Sequence, residues 1–135
     1  VPALKTYDLF ISHAWTYNDE YYRLIQLLDD APSFHYRNYS VPEHDPLGTR
    51  TNHQLREALG RQIRPVNCVL VLAGMYANYR DWMKAEIEIA QGFDKPIIGL
   101  RPWGQQRIPL EVQNTAHMVS WNTASIVQAI RVYSI

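Results

Sequence analysis

The sequence predicts an α/β fold: a five-stranded parallel sheet with helices on both faces. Two observations predict it. Short apolar runs of strand length alternate along the chain with stretches of helical periodicity. One run, Val66-Asn67-Cys68-Val69-Leu70-Val71-Leu72-Ala73, is apolar almost throughout, as a central strand covered on both faces must be. Strands alternating with helices imply right-handed crossovers, and the expected strand order is the flavodoxin-like 2-1-3-4-5.

Each element has its own signal. Tyr7 to Ser12 reads as the first strand, and Asn18 or Asp19 caps a helix to about Asp30, with Tyr22, Ile25 and Leu28 on its apolar face. Phe34 to Tyr39 alternates ring and polar residue as a second strand does, and Ser40 to Arg50, with Pro42, Pro46 and Gly48, is a loop. Thr51 or Asn52 opens a helix to about Arg64, and Val66 to Ala73 follows as the third strand. Asp81 is expected to cap a helix from Trp82 to Gln91 that Gly92 ends. Pro96 to Leu100 is a fourth strand, His117 to Trp121 a short fifth and Thr123 to Val132 a closing helix; Arg101 to Ala116 carries only a weak helical signal.

Composition narrows the function. A chain of 135 residues suits one domain, expected to span 1–135 and large enough to bury a core unaided. With 13 basic and 13 acidic residues and no long basic run, attraction to nucleic acid or to anionic lipid is not expected. The apolar stretch Val66 to Met75 is too short to span a bilayer, and Val1 to Thr6 lacks a signal-peptide core, so a soluble, cytoplasmic protein is expected. The single cysteine, Cys68, sits mid-strand and is expected to pack as a small hydrophobe.

In the expected order the crevice lies beyond the carboxyl ends of strands one and three. The loop from Ser12 to Asp19 brings Ser12, His13, Trp15 and Tyr17; that from Gly74 to Asp81 brings Tyr76, Asn78 and Tyr79 and leads into Trp82 and Glu86. Trp82 and Glu86, four apart, share a helical face. The neighbours of Glu86 at three and four residues are Trp82, Met83, Ile89 and Ala90, so its own helix offers no cation to a carboxylate on an apolar stripe.

Several chemistries do not fit. Receiver-type phosphotransfer needs acids at the ends of strands one and three, which here end in Ser12-His13 and Ala73-Gly74. A flavin or P-loop site needs a phosphate cradle that Ser12-His13-Ala14-Trp15-Thr16 does not supply. The five histidines show no ligand spacing, so no metal is expected. One carboxylate beside stacking rings does suit cleavage of an N-glycosidic bond, where it stabilises an oxocarbenium-like ribose. The nicotinamide of NAD leaves without protonation, so one acid suffices. Glu86 is the candidate for it, with Trp15, Tyr79 and Trp82 as candidates to wall in the bases.

Tyr7-Asp8-Leu9-Phe10-Ile11-Ser12-His13 resembles the opening strand of TIR domains, and Asp81-Trp82-Met83-Lys84-Ala85-Glu86 resembles the Trp-x-x-x-Glu segment that carries the catalytic Glu of TIR NAD-cleaving enzymes. Ile11 to Trp15 and Asn38 to Pro42 are similar to segments of the bacterial TIR-like family that includes the ThsB proteins of Thoeris anti-phage defence. The resemblance covers essentially the whole chain. It implies hydrolysis or cyclisation of NAD as substrate, with no further cofactor, to ADP-ribose or a cyclic isomer that acts as a second messenger for a separate effector protein. The resemblance carries over Glu86 as the catalytic residue and Ser12, His13 and Trp82 as substrate contacts, and Trp15, Tyr79 and, from the Ser40 to Arg50 loop, Asp45 are further candidate contacts read from the residues themselves. That loop is further expected to mediate self-association or to meet an activating partner. His13 stands where many TIR domains have Tyr or Phe. Two other readings stay open: a non-catalytic TIR-type interaction module, for which fold alone is enough, and a nucleoside deoxyribosyltransferase-like enzyme, which would want further acids in the crevice.

Overall fold

Leu9, Phe10, Ile11 and Ser12 are all buried, as is every residue from Cys68 to Leu72. Successive strand residues point to opposite faces, so both faces of these two strands are covered, as apolar continuity in the sequence requires. A computed structural model describes residues 5–12, 19–40, 52–72, 80–101 and 116–135, with the side chains of 20, 52–55, 80–83 and 101 outside that description. The elements run β1 (Thr6–Ser12), α1 (Asp19–Asp29), β2 (His35–Asn38), α2 (Asn52–Ile63), β3 (Cys68–Leu72), α3 (Arg80–Gly92), β4 (Ile97–Arg101), β5 (His117–Ser120) and α4 (Thr123–Tyr133). The five strands form one parallel sheet in the order β2-β1-β3-β4-β5, the order expected from the sequence.

Helices pack in pairs, α2 against α3 and α1 against α4. The second pair is tied where its ends meet: Thr123 Oγ1 donates to the Leu27 carbonyl at 2.8 Å, and the Asn122 side chain caps α4 by accepting the Ser125 amide at 2.8 Å. Among the described residues no helix is long and apolar enough to cross a membrane.

Most boundaries shift by one or two residues from the sequence reading, and three of the shifts have a clear physical cause. β3 begins at Cys68 rather than Val66, because Asn67 serves as a clamp instead of a strand residue. Its side-chain oxygen accepts the Asp8 amide at 2.7 Å, its own amide donates to the Asp8 carbonyl at 2.6 Å, and its Nδ2 donates to the Ile135 carbonyl at 2.8 Å. α3 begins at Arg80, so Asp81 lies inside the first turn rather than at the cap. Gly92 is the last helical residue but does not make the turn. Asp94 does, at φ 56°, with Lys95 N–H bonded to the Ala90 carbonyl and Asp94 N–H to that of Gln91, the paired bonds of a Schellman ending. The Ser40 to Arg50 loop lies outside the described residues apart from Ser40, and Arg101 to Ala116 apart from its two ends.

Close approach across the sheet requires glycine at position 99. It pairs with Val71 of β3 and Met118 of β5, and a Cβ there would stand 2.5 Å from Met118 Sδ and 3.3 Å from Ala116 Cβ. Gly99→Ala is expected to lower stability by about 1–3 kcal/mol, the usual cost of overpacking, seen as a lower midpoint in urea. A midpoint equal to the parent's would mean that Met118 swings aside freely.

Candidate active site

The site is built where β1 ends and α3 passes over it. β1 and β3 are neighbours, and the chain runs outward from them in opposite directions, to β2 on one side and β4 on the other. The carboxyl ends of two such strands form the crevice of an open α/β sheet. Ser12 is the last residue of β1, in register with Val71. From α3, Ile87 and Ala90 are buried, as their spacing predicts for the face turned to the sheet. Glu86, one turn before Ala90, belongs to the same stripe and is only 2% exposed.

Ser12 is fully buried, and its hydroxyl donates to Glu86 Oε1 at 2.8 Å across 74 residues of sequence. A hydrogen bond to a charged acceptor contributes about 1.5–3 kcal/mol, whereas withdrawing a carboxylate from water costs several. Replacing a buried charged group by a well-packed apolar one is often neutral or stabilising, so stability is a weak reason for an acid here. The bond does fix the carboxylate rotamer in a region of low dielectric, where its field acts on a nearby cation far more strongly than in water.

The second strand pair supplies support that the sequence reading missed. Ser40 Oγ accepts the Ile11 amide at 3.0 Å, while the Ser40 amide donates to Asn38 Oδ1 at 2.9 Å. Ser40, read from sequence as the start of a loop and part of the Asn38 to Pro42 segment, thus secures β1 one residue before Ser12. An Asn two positions before a Ser at a strand end was the available signal, since Asx side chains bond the amide two residues on.

Of the residues singled out from sequence, Ser12 and Glu86 are brought together. Trp82 lies on α3 one turn before Glu86, with its side chain outside the described residues; His13, Trp15, Asp45 and Tyr79 lie outside them altogether. Cys68 is buried in β3, and burial pushes its thiol up to about 11, which leaves almost no thiolate at neutral pH. It packs as a hydrophobe, as expected.

Removing one half of the buried pair should cost more than removing both. Ser12→Ala is expected to destabilise by about 1–3 kcal/mol by withdrawing a donor from a buried carboxylate, and Ser12→Ala with Glu86→Leu to recover most of that loss. Chemical denaturation of the parent, single and double variants measures it. Equal stability of parent and Ser12→Ala would show that the hydroxyl is not holding the acid.

No curated protein sequence matches the chain. A family described as Thoeris protein ThsB, TIR-like domain, matches residues 10–107, well over half the chain and a span that contains Ser12 and Glu86. With the observed sheet order, that match makes the chain a member of the family of TIR-like domains of the Thoeris protein ThsB.

Proposed function

We propose that this TIR domain, which belongs to an anti-phage defence family, cleaves the bond between nicotinamide and ribose in NAD, with Glu86 as the catalytic carboxylate. The observation that carries the proposal is the buried Ser12–Glu86 hydrogen bond at the carboxyl end of β1. In the proposed step the C1′–N bond breaks, and its electron pair passes to the pyridinium nitrogen, which leaves as neutral nicotinamide. The positive charge that remains is shared between C1′ and the ribose ring oxygen, where a fixed, desolvated carboxylate stabilises it. A water or an internal hydroxyl then bonds to C1′ and gives up its proton, to Glu86 or to solvent. The first nucleophile yields ADP-ribose and the second a cyclic isomer, the signal that a separate effector protein would sense.

Burial of Glu86 sets a condition on this chemistry. A carboxylate only 2% exposed meets no substrate until the crevice opens. Self-association or an activating partner, engaged through the Ser40 to Arg50 loop with Asp45 as a candidate contact, is the proposed means of opening it. The same burial favours a second reading, a non-catalytic interaction module in which Ser12 and Glu86 only fasten α3 to β1.

The two readings part on one substitution. Glu86→Gln keeps the shape and removes the charge, so nicotinamide release should fall by roughly 10² to 10⁴-fold with the fold retained. Mass analysis of NAD incubated with parent and variant reads it, and equal rates would remove Glu86 from the chemistry. If assembly opens the site, specific activity should also rise with protein concentration, and Asp45→Ala should flatten that rise. Specific activity constant over a hundredfold range of concentration would argue for a self-sufficient monomer.

A further inference from the structure

The groove between α2 and α3 has features that the catalytic reading does not use. It has a volume of about 680 Å³, within the range of small-molecule sites. Arg56, Arg61 and Arg64 line one flank, and Ile89, Gly92 and Phe93 form the other. The lining holds one acid, Glu57, against three arginines, in a chain whose charges balance overall. Arg56 bonds Glu88 outside the lining at 3.3 Å. Arg61 and Arg64 have no acid within ion-pair distance among the described residues.

The apolar flank is held firmly. The Phe93 amide is bonded to the carbonyls of Ile89 and Ala90, and the Asp94 turn closes the helix directly behind it. Phe93 is 41% exposed, and its ring runs alongside Gly60, where an added Cβ would stand 3.7 Å from it. One aromatic surface therefore shares a groove with three arginines spread over about 12 Å of chain, at 1.5 Å per residue, from Arg56 in α2 to Arg64 just past its end. Phe93 is about 10 Å along α3 from Glu86 on the same rise, so the groove and the buried pair are separate places.

The geometry points to a second binding site, for a nucleoside polyphosphate, with the base on Phe93 and the phosphates along Arg61 and Arg64. Guanidinium forks match phosphate oxygens in pairs and also stack on flat rings. A triphosphate concentrates its charge over a length comparable to the Arg61 to Arg64 spacing, and a single base needs only one ring. An acidic peptide would use the same arginines but would gain little from one fixed aromatic surface.

Calorimetric titration with ATP, inorganic tripolyphosphate and adenosine at low salt separates base from phosphate. ATP should bind more tightly than either fragment. The double variant Arg61→Gln with Arg64→Gln should weaken ATP by about tenfold or more, in keeping with the loss of charge-assisted bonds. Phe93→Ala should abolish the advantage of ATP over tripolyphosphate, and Glu86→Gln should leave ATP binding unchanged. All these groove positions are on the surface, and matching near-ultraviolet circular dichroism verifies the fold. The proposal is overturned by no ATP binding at millimolar concentration, by binding indifferent to the arginine pair, by equal affinity for ATP and tripolyphosphate in the parent, or by a poly-glutamate peptide that binds more tightly than ATP.

Discussion

The pairing of β1 with β3 is the constraint on which the rest of the molecule depends. Both strands are buried on both faces where they pair, so neither can slip by one residue without turning its side chains onto the wrong helices. That register places Ser12 at the lip of the sheet, opposite Val71, and the helix that follows β3 must then cross over β1. Asn67 reinforces the arrangement from the other end. Its bonds to Asp8 join the starts of the two strands, and its bonds to Ile135 draw in the segment after α4.

An acid buried at such a place sits uneasily with the packing around it. Ile87 and Ala90 of the same helix belong to the hydrophobic core, and a hydrocarbon at position 86 would carry none of the desolvation cost of a carboxylate. The Ser12 hydroxyl offsets part of the penalty and, in doing so, fixes the carboxylate in one orientation. Sites that trade stability for a fixed, desolvated charge are where catalysis on a cationic transition state is expected. Adaptor function makes no such demand, although a buried pair can also serve to fasten two elements.

Much of this was legible in the sequence because it is local or periodic. The near-continuous apolar run around Val69 identified a central strand, the alternation of elements gave the sheet order, and Glu86 stood out as a carboxylate on an apolar helical stripe. What was not legible depends on contacts between distant residues or on one backbone angle. Nothing near Asn67 announces that it will bond Asp8 and Ile135, and Gly92 looked a better helix terminator than Asp94, whose left-handed φ is set by the pair of bonds closing α3. Ser12 and Glu86 were each chosen from sequence, yet their contact spans 74 residues and emerges only from the fold. The groove of arginines beside Phe93 was invisible for the same reason, since it draws on two helices whose packing the sequence does not specify.

The central claim, that Glu86 faces substrate when the site is open, is tested most directly at the carboxylate itself. With glutamate δ-carbons labelled with ¹³C, the Glu86 resonance is the one that Glu86→Gln removes, and it can be followed while carba-NAD is added. In that analogue a methylene replaces the ribose ring oxygen, so the oxocarbenium cannot form and the ligand stays intact. The account predicts that the Glu86 signal moves on binding and that Ser12→Ala alters its starting position. A Glu86 resonance that holds still at saturating carba-NAD, while signals elsewhere respond, would contradict the account and leave the Ser12–Glu86 pair as a fastening between β1 and α3.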